Sequence, residues 1–278
     1  MGDAAASADA DAVLAQNRFV ASPFVQGKVQ RDAARNWDKF YKAHEDRFFK
    51  DRHWTDIAFD ELRAPGLDDA QRGGAAAPVL LEVGCGVGNT VYPLLEKNPQ
   101  LRVHCCDFSP RAIDMVRRHP AHTPERVNAF VCDIAGADPL EPHLARDWPP
   151  ISVLSLIFVL SAIPPHEHVR VVQRLVALLP RGASVVFRDY ARADIAHVRF
   201  HMKRDAQWTE PSLLSAEHDW YRRGDNTMAY FFAVDEVDAI GRAAGLAGSA
   251  HEVVAVQENR QRGLVMTRRF VQACWRKV

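Results

Sequence analysis

The chain carries no net charge, because 35 lysines and arginines balance 35 aspartates and glutamates. It therefore lacks the global basic field that draws in a polyanion, and a nucleic-acid partner would have to be held by a local patch. No apolar run approaches the roughly 20 residues needed to span a bilayer, so no membrane segment is expected. Cysteine is scarce, five in 278 residues, and Cys85, Cys105, Cys106, Cys132 and Cys274 form no CxxC pair. They read as small buried hydrophobes of a reducing compartment, with no disulfide or zinc role. His166 and His168 stand two apart after Pro164-Pro165, but no third ligand lies nearby in sequence, so no metal site is expected. The start, MGDAAASADADAVLAQ, has no basic residue before Arg18, which argues against a secretory signal or a mitochondrial presequence. Ala6 and Ser7 also miss the myristoylation spacing. The expectation is a cytoplasmic protein, with the nucleus as a second compartment.

What is present divides into four parts. Residues 1–20 are polar and small and are expected to be a disordered tail. Residues 21–64 turn helical and mixed-charge, with Trp37, Phe40 and Tyr41 at i, i+3 and i+4 on one apolar face. Residues 65–78 have the composition of a linker. From 79 to 278 strand and helix signals alternate. Apolar strands begin at 79, 101 and 127, and the run ISVLSLIFVLSAI reads as a buried central strand. Ser109-Pro110 is a helix start signal, and a helix is predicted over 166–179 before strand SVVFRDY. Residues 191–226 break the rhythm as a polar, lid-like insertion; it resumes with MAYFF, a helix through VDEVDAIGRAAGL and two closing strands near 251–257 and 264–274. The alternation predicts an α/β doubly wound, mostly parallel sheet of seven strands with an antiparallel last strand.

The densest signal is VLLEVGCGVG, residues 79–88. A short strand runs into Glu82 and then Gly84, Gly86 and Gly88, a turn whose backbone can approach a nucleotide closely. The spacing is GxGxG with the acid before it, the form seen in class I S-adenosylmethionine (SAM) methyltransferases, where Glu82 sits near the methionine amino group. Asp107 closes the next strand at the interval that places a carboxylate on ribose hydroxyls, or else it only caps the helix at Ser109-Pro110. Asp133 would accept from the adenine amino group with Ile134 on the ring, unless it is a plain strand-end turn. Phe108 and Ile157 are placed in the same cofactor set, and Trp37 and Tyr41 could cover the cofactor.

Several acceptor chemistries lack their motif. Where enzymes acting on exocyclic amines carry [DNS]PP[YFW], this chain reads FVLSAIPP. No Pro-Cys or Thr-Cys pair exists for a cysteine nucleophile, and no histidine has an orienting carboxylate in sequence. The acceptor is therefore expected to be nucleophilic already.

The chain resembles the eukaryotic methyltransferase-like tRNA N3-cytidine methyltransferases over about nine-tenths of its length. The resemblance rests on Asn36-Trp37-Asp38 with Phe40-Tyr41, the block FFKDRHW from Phe48 to Trp54, and GCGVGN from Gly84 to Asn89. It continues through CDFSPRAI from Cys106 to Ile113, Cys132-Asp133, LIFVLSA from Leu156 to Ala162, and FRDY from Phe187 to Tyr190. It implies transfer of a methyl group from SAM, leaving S-adenosylhomocysteine, to N3 of a cytidine at position 32 of a tRNA anticodon loop. Phe48, Phe49 and Trp54 would then stack RNA bases, while Lys50, Arg52, His53, Arg199 and Arg260 would bind RNA. Asp189, with Arg188 beside it, is the catalytic candidate, stabilising positive charge on the ring. The His53-Trp54-Thr55 version of the block resembles the branch that acts on serine tRNA with seryl-tRNA synthetase. The Asn259-Arg260…Met266…Arg268…Gln272 pattern resembles the threonine- and arginine-tRNA branch, and the acidic insertion around 205–219 departs from both. A monomer is expected. The competing readings are a small-molecule methyltransferase and a non-catalytic RNA-binding scaffold of the same fold.

Overall fold

A computed structural model describes residues 10–16, 18–45, 48–63, 77–202, 210–259 and 264–278. The N-terminal extension holds helices α1 (Pro23–Arg31), α2 (Ala33–His44) and the single turn α3 (Thr55–Ala58). Then come β1 (Val79–Val83), α4 (Val91–Lys97), β2 (Arg102–Asp107), α5 (Pro110–Arg118), β3 (Val127–Val131) and β4 (Val153–Ile157). They are followed by α6 (His168–Ala177), β5 (Ser184–Tyr190), α7 (Ile195–Met202), β6 (Trp220–Arg222), β7 (Met228–Tyr230), α8 (Val234–Ala243), β8 (Leu246–Asn259) and β9 (Leu264–Lys277).

Seven strands form one sheet in the order β3-β2-β1-β4-β5-β9-β8. β1 to β5 run parallel, and β9 is antiparallel to both β5 and β8. The order reverses direction between β1 and β4, and ligands of doubly wound sheets bind at that switch point, beyond the strand ends. The central strands are apolar because both faces are covered. Val79, Leu81 and Val83 of β1 pack into one core layer with Phe187, Val171 and Trp275, while Leu80 joins Val91, Ile113 and Val186 in the other. Start signals explain the helices: Ser22 caps α1 and Ser109 caps α5, each followed by proline at the first helical position.

Four departures from the sequence reading matter. The expected tail is anchored where it is described, with Leu14 fully buried and Arg18 bonded to Asp219; just past it the Ala21 N–H donates to Leu213 O at 2.8 Å and the Ser22 N–H to Glu210 at 2.7 Å. The MAYFF segment does not re-enter the main sheet; β7 pairs back onto β6, at the end of the insertion, in a separate ribbon. The predicted helix at 166–179 is shorter, since Pro165–Glu167 form a tight 3-10 turn first. The closing strands are longer than expected, and β9 before Phe270 pairs only with β8, so the ribbon extends past the carboxyl end of β5. The expected linker falls on residues 64–76, outside the described residues. Among the described residues, no helix is long and apolar enough to cross a membrane, and no group of three metal ligands occurs.

Candidate active site

A cavity of about 300 Å³ opens at the carboxyl ends of β1, β2, β3 and β4. Gly84, Asp107, Phe108, Asp133 and Ile134 line its floor, and Trp37 and Tyr41 of α2 close over it. The glycine turn needs its glycines. Gly84 has φ +59°, and a Cβ there would stand 2.9 Å from Val159; one on Gly86 would press on the Tyr41 hydroxyl at 3.0 Å. Asp107 is buried and holds the turn together, accepting from the Gly86 N–H at 3.0 Å and the Ser109 N–H at 2.9 Å. Each of its oxygens keeps a lone pair for a ligand hydroxyl. Burial raises its pKa to about 6, against the pull of those two N–H groups. Asp133 accepts from the Ala135 N–H at 2.9 Å. α2 is fixed in place because Asp38 accepts from the Ser109 hydroxyl at 2.9 Å and pairs with Arg111.

Beneath the turn lies Glu82, with no exposed surface and no hydrogen-bond partner on either oxygen. Burial raises its pKa to about 7, opposed by Arg52 and by the Ser155 and Thr90 hydroxyls beside it. A buried carboxylate so weakly partnered is costly, and this one calls for a closer cation. The nearest is Arg52 Nη1, 4.0 Å from Oε1.

A second set of groups adjoins the cavity at Phe158, which lines it and sits at φ +57°, a strained conformation for a bulky residue. The Phe158 ring packs at 5.1 Å from Tyr190 and 5.6 Å from Phe270. Guanidinium groups surround these rings: Arg52 over Phe158, Arg223 over Tyr190, and Arg268 over Tyr190 and Phe270. Arg188 is held between Trp54 at 4.4 Å and Phe270 at 4.6 Å, and burial lowers its pKa to about 10. Half-buried Phe158 and Tyr190, backed by buried Phe270 and flanked by cations, have the character that a splayed-out nucleobase and its phosphates need.

Comparison with known proteins now bears on this geometry. A family model described as a methyltransferase domain matches residues 81–185. The tRNA N(3)-methylcytidine methyltransferase trm141 of Schizosaccharomyces pombe is 40% identical over 258 residues, covering 92% of this chain and 97% of that protein. The chain belongs to the tRNA N3-cytidine methyltransferase family. The tRNA N(3)-cytidine methyltransferase METTL6 of Homo sapiens is 38% identical, covering 94% of this chain and 86% of its own. METTL2 of Danio rerio is 37% identical, over 91% and 76%. Among solved structures, a SAM-dependent methyltransferase from Anabaena variabilis superposes with TM-score 0.59 at 14% identity, covering 88% of this chain and 95% of that one. That likeness establishes the class I SAM-dependent methyltransferase fold.

Within the family frame, the expected cofactor residues Trp37, Tyr41, Gly84, Asp107, Phe108, Asp133 and Ile134 all border the cavity, and Glu82 lies under it. Ile157 does not: its side chain is completely buried in the core with Leu80 and Val186, and Phe158 takes the place expected of it. Gly88 faces the Tyr92 ring, 2.6 Å from where a Cβ would stand, and serves helix packing. Asp189, expected beside the acceptor ring, is fully buried and accepts from the Ser161 and Tyr190 N–H groups, both at 2.9 Å. It positions the loop after β4 and the Tyr190 backbone and is not among the residues that line this cavity. Arg188, expected beside it, lies instead between Trp54 and Phe270.

The FFKDRHW block also divides. Phe48, Lys50 and His53 are exposed, whereas half-buried Phe49 packs on Phe40. Arg52 points inward, against the expected phosphate role, and one face of Trp54 is taken by Arg188. Arg199 is exposed on α7, and Arg260 lies outside the described residues. Sequence reasoning missed Phe158, Tyr190, Phe270, Arg223 and Arg268 as one site. FRDY flagged Tyr190 by position only, and nothing in sequence joins the others.

Proposed function

We propose that the protein is a SAM-dependent methyltransferase that forms 3-methylcytidine at position 32 in a tRNA anticodon loop, serine tRNA first. The observation that carries the reading is identity of 37–40% to named tRNA N3-cytidine methyltransferases over nine-tenths of the chain, joined to a cavity whose residues suit SAM. The fit is physical. Glu82 offers a weakly partnered carboxylate for the ammonium, Asp107 offers lone pairs to ribose hydroxyls, and the Gly84–Gly86 turn admits close backbone approach. Asp133 and Ile134 border the end of the cavity suited to adenine, and Trp37, whose buried indole N–H has no partner, closes the roof.

SAM supplies an electrophilic methyl on a sulfonium. The remaining work falls to the chain's own residues. N3 of cytosine has an in-plane lone pair, so no general base is needed, and none is assigned to His166 and Glu167, which border the cavity 3.7 Å apart. Phe158 and Tyr190, backed by buried Phe270, provide stacking faces for an unpaired base swung out of the loop, and alignment is the main source of rate. Their π-faces favour the positive charge that grows on the ring. Lys50 and Arg199 are exposed, which leaves them free for the phosphate contacts proposed for them. Acceptance of serine tRNA is supported by the His53-Trp54-Thr55 version of the block, and seryl-tRNA synthetase is the proposed helper of an otherwise monomeric, cytoplasmic enzyme.

Nucleoside mass spectrometry of serine, threonine and arginine tRNAs, incubated with the protein and SAM with and without seryl-tRNA synthetase, tests this. New 3-methylcytidine in the anticodon loop of serine tRNA, increased by the synthetase, is the expected result. Absence of product on every tRNA, despite measured SAM binding, overturns it.

A further inference from the structure

Arg52 belongs to the aromatic–basic block but is tied to the cofactor turn. Its N–H donates to Asn89 O at 2.8 Å, and the Asn89 side chain donates to Phe49 O at 3.2 Å and to Asp51 at 3.1 Å. Asn89 ends the glycine motif, so residues 49–52 are fastened to the very segment that borders the cavity. The guanidinium is held more loosely. Nη1 donates to the Thr90 hydroxyl at 3.0 Å and to Ile157 O at 3.4 Å, and stands 4.0 Å from Glu82. None of these is the bidentate carboxylate contact that fixes arginine most firmly. On its other side Cζ lies 5.3 Å from the Phe158 ring centroid, at the acceptor floor. One guanidinium thus stands between a buried carboxylate that lacks a close cation and the surface suited to RNA. A small ammonium and a guanidinium compete for one carboxylate, since closeness of each lowers the attraction left for the other.

We propose that Arg52 is a placeholder cation that couples cofactor binding to RNA binding. Without cofactor it faces Glu82; when the cofactor's ammonium takes that carboxylate, Arg52 is released across Phe158 to an oxygen of the RNA. The inference rests on the SAM and tRNA reading above. Arg52 is a positioning residue here, since it acts on the cofactor only through Glu82. Coupling of this kind is reciprocal: RNA that engages Arg52 leaves Glu82 open and tightens the cofactor by the same factor.

The test is a binding cycle read by calorimetry or fluorescence anisotropy, without turnover. Saturating S-adenosylhomocysteine should tighten tRNA binding about tenfold, within the roughly 5–150-fold range of such couplings. Saturating 5′-methylthioadenosine, which keeps the adenosine and lacks the ammonium, should leave tRNA affinity unchanged. Arg52→Gln should still bind S-adenosylhomocysteine yet lose the tightening, and Arg52→Lys, which keeps the charge, should restore part of it. Equal tightening by both nucleosides, no tightening by either, or full tightening in Arg52→Gln overturns the proposal. If Arg52→Gln does not fold, the nucleoside comparison on the unaltered protein decides alone. Failure of the broader reading looks different: S-adenosylhomocysteine or tRNA then fails to bind at all.

Discussion

The two halves of the site are built by different means. The cofactor side is assembled strand by strand: Glu82, Asp107 and Asp133 stand at or just past the ends of β1, β2 and β3, each carried by its own apolar run. The acceptor side is assembled across the sheet. Phe158 follows β4, Arg188 and Tyr190 end β5, Phe270 sits opposite Tyr190 in the antiparallel register of β9, and Arg52 and Trp54 arrive from the N-terminal extension. The first half depends on local chain geometry that a parallel sheet repeats. The second depends on long-range register and on docked segments, so it can vary while the first stays fixed. One fold can in this way keep a donor and change its acceptor.

That contrast can be broken experimentally, beginning with the donor side. Gly84→Ala should cost the most, because a Cβ at φ +59° is strained and collides with Val159. Strain of roughly 1–3 kcal/mol is expected in the turn, with loss of measurable S-adenosylhomocysteine binding by calorimetry. Near-normal affinity would show that the turn does not shape the cavity. Asp107→Ala removes the acceptor of two N–H groups as well as the ribose contact, and a drop of about 100-fold in cofactor affinity is expected. On the acceptor side Tyr190→Ala should raise the KM for tRNA about tenfold, since stacking is worth roughly 1–3 kcal/mol per base. Cofactor affinity should stay put; if both move together, the two halves are not separable.

The pH dependence sharpens the same division. Glu82 must be ionised to hold an ammonium, and its pKa stands raised to about 7 by burial, against the opposing effects of Arg52, Ser155 and Thr90. Cofactor affinity should therefore fall about tenfold between about pH 8 and pH 6, with proton release on binding near neutrality. Because the folded pKa lies above the 4.5 of an ordinary glutamate, the stability linked to this proton is present at low pH and is lost as pH rises through about 7. A flat affinity profile that persists in Glu82→Gln would remove Glu82 from the ammonium site. The smallest effect belongs to exposed Lys50: Lys50→Gln should weaken tRNA about twofold and lower the salt slope by about 0.7, the value for one single-strand phosphate contact.

How much of this could be read from the sequence follows the same line. The sheet, its switch point and the cofactor carboxylates were legible because apolar runs and glycines mark strand ends directly. Ile157 was misplaced by one residue, which in a strand turns a side chain to the opposite face. Arg52 was read as a phosphate ligand because composition shows only that a block is basic. Which way the side chain turns depends on Asn89, 37 positions further on, gripping the backbone of the block. Asp189 looked catalytic from its place after a strand, but its oxygens were already committed to the N–H groups of Ser161 and Tyr190. The ribbon formed by MAYFF was hidden because its partner, Trp220–Arg222, lies within the polar insertion.

The anchoring of the N-terminal arm has a temporal consequence. Arg18 is fastened to Asp219, 201 residues later in the chain, and Ser22 to Glu210, 188 residues later. At roughly 5–20 residues per second, a ribosome needs about 10–40 s to make that interval. Helix α2 is secured sooner, because Trp37, Phe40 and Tyr41 pack with Val87 and Ala112 and Asp38 bonds Ser109. The arm ahead of α1 is thus made long before the segment that secures it, whereas the aromatic face of α2 finds its cover much earlier.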